Sequence, residues 1–133
     1  MAVLAFWLIT VAFAPANADA LRVHVGTVRS SVSEALLISA TGDAGHLPRP
    51  FRRTEVELLQ RDVDSAARSL AIAQPEPELR DRFAEAENLA SVAAAGLHTL
   101  AMDGAPSESV IAAQATLAEL VLRVQALERE LGP

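Results

Sequence analysis

His98 and Met102 stand four residues apart, which places them on one face of any helix that contains both. An imidazole and a thioether together suit copper. His46 would complete a small donor set if the loop that holds it shares a pole with that helix end. The second cluster with chemistry in it is "HLPRPFRR", residues 46–53, which gathers Arg49, Arg52 and Arg53. Guanidinium groups grip oxyanions through paired N–H donors, so the cluster could dock phosphate, a lipid headgroup or an acidic partner. Positive charge at a helix start opposes the dipole. Local pairing with Asp43, Glu55 or Glu57, or plain solvation, is the competing account, because surface ion pairs are common and contribute little.

Catalysis is harder to assemble. The chain has no cysteine, which removes thiol nucleophiles, thiolate metal sites and disulfides. It contains no glycine-rich phosphate loop, no G-x-S-x-G elbow and no H-E-x-x-H. Neighbouring carboxylates such as Glu85 and Glu87 are two apart and point away from each other on a helix. The expectation is a protein that is not an enzyme and carries no cofactor. With a net charge of −6, it should not bind nucleic acid, whose phosphates require a basic face.

Two kinds of element must position these residues. The first is "MAVLAFWLITVAFAPANADA", where only Thr10 is polar between Ala2 and Ala14. A run of about 13 is short of the roughly 20 that span a bilayer and fits the apolar region of an export signal. Pro15 ends it, and the small residues Ala16, Ala18 and Ala20 then offer cleavage after Ala18 or Ala20. No Lys or Arg precedes the run, leaving open a start further upstream. Residues 1–20 are therefore expected to be a signal peptide, and the protein periplasmic or secreted from a bacterium. A membrane association would follow only if that segment were retained. No charged residue precedes Asp19, and every Lys or Arg in the chain is arginine.

The second kind is helical. Cleavage would leave about 113–115 residues, one domain's worth. Apolar residues recur at steps of three and four over four stretches, with expected helices at about 21–41, 53–73, 77–102 and 107–131. The seams are Leu21, Val25, Val28, Val32, Ala35 and Ser39; Val56, Leu59, Val63, Ala66, Leu70 and Ala73; Leu79, Phe83, Ala86, Ala90, Ala93, Leu97 and Leu100; and Val110, Ala113, Leu117, Leu120, Val124, Leu127 and Leu131. Thr54 with Glu57 reads as a capping box, Ser107 as a cap, and Gly104 and Gly132 as helix stops. β-Branched residues and Gly26 weaken the first helix, and "LRVHV" could be a short strand. "TGDAGHLPRP" reads as a loop. The fold expected is all-α, an antiparallel up-down four-helix bundle forming one domain, 21–133, after the signal peptide.

Such an architecture resembles that of exported cytochrome b562-type bundles, which hold haem between a Met and a His on terminal helices. Met102 closes the third helix here, and no histidine lies near the C-terminus, so no haem ligands carry over. The seams also lack the inward Glu-x-x-His pairs of ferritin-like di-iron proteins. What remains is a surface feature. From Leu89 to Met102 fourteen residues carry no charge, with Val92 and Met102 off the seam. The fourth helix has a second apolar stripe, Ile111, Ala115, Ala118 and Leu122. A helix apolar on several faces is usually covered by something. The function expected is binding: self-association, or docking on another exported or envelope protein, through Val92, Met102, Ile111 and Leu122. The alternatives are a copper or anionic-ligand carrier at the 46–53/98–102 pole, and a membrane-anchored sensory bundle if the N-terminus is not cleaved.

Overall fold

The computed structural model describes residues 17–43, 49–102 and 104–132, with side chains for all of these except 41–43, 49 and 50. They form helices α1 (Ala18–Asp43), α2 (Arg49–Ile72), α3 (Arg80–Ala101) and α4 (Ser107–Glu130), with a short 3-10 turn at Pro77–Leu79 ahead of α3. The protein is all-α, with no strand among the described residues. "LRVHV" is helical too: Leu21 and Val25 are both buried one turn apart, and that packing outweighs the modest helix penalty of β-branching.

Helix starts depart most from expectation. α1 begins at Ala18, because the Asn17 side-chain oxygen accepts a 3.0 Å bond from the Ala20 N–H and caps it. Asp19, favoured by the dipole at this end, pairs with Arg22 at 2.6 Å. α2 begins at Arg49 rather than 53, since Pro50 fits a first turn, where its missing N–H costs nothing. Thr54 and Glu57 therefore lie inside the helix and form no capping box. α1 also runs to Asp43, which takes the flanks of the expected 41–50 loop into helices; residues 44–48 are outside the described set.

The third expected helix is a 3-10 turn followed by α3. It stops at Ala101, where the Met102 N–H bonds to the His98 and Thr99 carbonyls at 3.1 and 3.3 Å, and Gly104 then takes φ +73°. For α4 the capping residue is Pro106, with Ser107 already helical and making no side-chain cap bond. Gly132, at φ +77°, follows its end, as a helix-terminating glycine should.

The seams pack together. Every seam residue of α1 is buried, as are Val56 to Leu70, Phe83 to Leu97, and Ala113 to Leu127 within theirs. Ala73, Leu79, Leu100, Val110 and Leu131 are half-buried at the ends. Each buried Val or Leu contributes about 1.5–3 kcal/mol. Ser31 and Ser39 are the only buried polar residues among those described. α1 packs on α2 and α4, α3 packs on the same two, and α1 also meets α3 across the middle.

Polar ties join α4 to its neighbours. The Gln114 amide donates to the Ser39 hydroxyl at 2.6 Å, Arg29 pairs with Glu128 at 2.6 Å, and Arg22 donates to the Leu131 carbonyl at 2.6 Å. Arg82 pairs with Glu130. Late residues of α4 thus meet early residues of α1 and of α3.

Candidate functional site

Two of the three metal candidates, His98 and Met102, lie among the described residues. His98 is exposed on the last turn of α3 and Met102 is its capping residue, 51% exposed. What joins them is a backbone bond from the Met102 N–H to the His98 carbonyl, with no part for the ring or the thioether. His46 lies outside the described residues. Among the described residues no group of three or more His, Asp or Glu side chains could hold a metal ion.

The arginine cluster is drawn into α2. Arg49 opens the helix, and Arg52 and Arg53 follow in its first turns. Arg53 pairs with Glu57 at 3.4 Å, an i,i+4 contact, so local pairing accounts for that guanidinium. Arg52 is half-buried. Two surface hollows occur elsewhere. One lies at the α2–α3 turn against Pro75, Pro77 and Arg80; the other runs between α1 and α2 past Gly26, Ser31 and Asp62. Both are open to solvent. The arginines beside the second, Arg22 and Arg29, are already engaged with Asp19 and Glu128. The Thr27 and Thr99 hydroxyls turn back to carbonyls of their own helices, so neither is poised as a nucleophile.

The four contact candidates are all on the surface: Val92 at 37%, Met102 at 51%, Ile111 and Leu122 at 64% each. Val92 is on α3 and Met102 caps it, while Ile111 and Leu122 are on α4. On α4 the α1 side is marked by Gln114, which reaches Ser39, and by Glu128, which reaches Arg29. Ile111, Ala118 and Leu122 flank that side at helical spacing, and Ala115 and Ala118 are exposed between the two larger residues. Val92 belongs to the opposite flank of α4: it is one turn before Gly96, whose Cα faces the Leu117 side chain. Met102 is in register with Asn88 and Ala95 on the outermost face of α3.

A residue that the sequence reading passed over belongs near the stripe instead. Leu37 of α1 is 67% exposed. It sits two residues before Ser39, hence level with the middle of the α4 stripe through the Ser39–Gln114 bond. The run "ALLIS" conceals it, because Leu36 beside it is half-buried against the core, and periodicity alone does not separate adjacent leucines at the edge of a face. Val23, Phe51, Leu58 and Ile72 are also exposed; scattered singly, they are ordinary surface.

α4 is thus the unusual helix. It is the one described helix long and apolar enough, by length and composition, to cross a membrane, yet only 28% of its most apolar stretch is buried. It also supplies Leu117, Leu120, Val124 and Leu127 to the core. The excess apolar surface is its outer stripe. No family model matches this chain, and no curated protein or solved structure matches it either.

Proposed function

We propose that this is a small exported protein that acts by association, with a like subunit or with another exported or envelope protein, and that it performs no catalysis. The observation that carries the reading is the second stripe of α4, Ile111, Ala115, Ala118 and Leu122, exposed on a helix whose other side already fills the core. Contiguous apolar surface that folding does not use is the usual mark of an interaction site. The folded part is read as an up-down antiparallel four-helix bundle. In support, late residues of α4 meet early residues of α1 and α3, and a short turn links α2 to α3. Export is supported by the apolar run at 2–14 and the alternating alanines after it. The described buried set holds no acid, base or imidazole, which leaves association as the activity best matched to the surface.

Ile111→Glu and Leu122→Glu test this. Both sites are largely exposed, so each variant should keep its helix content and unfold within about 0.5 kcal/mol of wild type. The complex that wild type forms, read as mass by light scattering, should be lost in both. If both variants keep the wild-type mass, the stripe is not the contact surface.

A further inference from the structure

The stripe reads nearly the same in both directions. Ile111, Ala115, Ala118 and Leu122 are spaced four, three and four residues, so reversal about the midpoint between Thr116 and Leu117 exchanges Ile111 with Leu122 and Ala115 with Ala118. At its ends lie opposite charges. Glu108 is in the first turn of α4 and Arg129 in the last, and both are exposed. The geometry assigns this face to a second copy of the same chain, bound through α4 against α4 in antiparallel, two-fold symmetric fashion. This rests on the association reading above and names the partner and its orientation.

Each part of the pattern suits that occupant. A two-fold contact must be self-complementary, with residue i meeting j and j meeting i. Antiparallel pairing sets Ile111 against Leu122 at two symmetric places and Ala115 against Ala118 between them. The alanines let the two backbones approach, and the larger residues close the ends. The same pairing sets Glu108 of one copy level with Gln125 of the other, one turn (about 6 Å) short of Arg129 and within the span of that long side chain, twice. A parallel pairing would instead stack Glu108 on Glu108 and Arg129 on Arg129, which is repulsive. Glu119 and Arg123, on the far flank, satisfy each other at 3.0 Å and stay out of the contact. A contact of one helix face is small for a specific interface, so the dimer should form and dissociate with concentration.

The absence of cysteine from the chain makes disulfide trapping a direct test. In the antiparallel pair the two Ile111 positions are separated by about 16 Å along the axis, and so are the two Leu122 positions, while Ile111 and Leu122 of different copies are level. Purified Ile111→Cys and Leu122→Cys proteins should each form little covalent dimer alone under mild oxidant. A mixture should form at least tenfold more. Ala115→Cys mixed with Ala118→Cys should also trap with both large residues intact, but like positions there lie only about 4.5 Å apart along the axis, so the comparison with self-trapping is read at Ile111 and Leu122. A charge exchange adds an independent readout. Arg129→Glu should weaken the dimer severalfold, and Glu108→Arg with Arg129→Glu in one chain should restore it. Self-trapping of either single variant as efficient as that of the mixture would overturn the antiparallel arrangement. No trapping in either mixture, with wild type dimeric by light scattering, would overturn α4 pairing and leave association through another surface. A wild type that is monomeric at all concentrations would overturn self-association altogether, leaving only a different protein as partner.

Discussion

Gly96→Ala is the sharpest probe of how α3 and α4 are packed. In an open helix interior, replacing glycine by alanine stabilises by up to about 1 kcal/mol, because alanine loses less backbone entropy on folding. Gly26 of α1 is such a place: a Cβ there meets nothing within 4 Å, and Gly26→Ala should stabilise by about 0.5–1 kcal/mol. At Gly96 a Cβ would lie 2.7 Å from Leu117 Cδ2, 2.9 Å from Cγ and 3.3 Å from Cδ1. Carbon contacts are optimal near 3.5–4.0 Å. Leu117 is wholly buried and has no solvent to swing into. Forcing a methyl into a packed core costs about 1–3 kcal/mol, which exceeds the entropic gain. Gly96→Ala should therefore fall below Gly26→Ala by about 1–3 kcal/mol. For a domain of this size that is on the order of 4 °C in Tm per kcal/mol, readable by thermal and urea unfolding followed by circular dichroism. Leu117→Ala alone should cost about 2–5 kcal/mol. Its cost should shrink by more than about 1 kcal/mol when Gly96→Ala is already present, since the two changes share one space. If Gly96→Ala stabilises as much as Gly26→Ala, the close approach of α3 and α4 is wrong.

Two further outcomes follow from the same contacts. Ser39→Ala deprives the half-buried Gln114 amide of its acceptor at 2.6 Å and should cost about 1 kcal/mol; losses that simply add with those of Gln114→Ala would show that the pair does not couple α1 to α4. The intact mass of a C-terminally tagged chain made in a bacterial host should lack the first 18 or 20 residues, and recovery of the full-length mass in the membrane fraction would contradict export of a free domain.

The core was legible because Ala, Val and Leu recur at three and four over long stretches, a pattern with few other physical uses. Every seam residue from Leu21 to Ser39 is buried for that reason. The ends were less legible. Asn17 inside "ANADA" caps α1, but the same letters read as a cleavage site, and only the folded chain shows that Leu21, one residue past the later site, is fully buried. Pro50 marked a loop in the sequence and a first turn in the structure. Ser31 is buried although it is not on the seam; it sits where α1 turns toward α2, beside the hollow that Leu59 also lines. The contact candidates lie off the seams and are exposed, and Leu37, which periodicity did not separate from Leu36, is exposed as well.

α2 and α4 make the functional argument by contrast. Both bury one seam to a similar depth. The outward face of α2 carries Arg61, Ser65 and Arg68, all exposed, with Leu58 and Ile72 the exposed apolar residues among them, a mostly solvated face of the kind a bundle helix needs. The outward face of α4 carries Ile111, Ala115, Ala118 and Leu122 instead, with its Glu119–Arg123 pair displaced to one flank. Folding does not require that difference. The core seam of α4 is complete without it, and an uncovered apolar stripe lowers solubility without stabilising the monomer. Its end charges already suit the dipole of α4 within one copy, but its self-complementary spacing has no role there. Under the proposed pairing, that spacing acquires one when a second copy lies against it in the reverse direction.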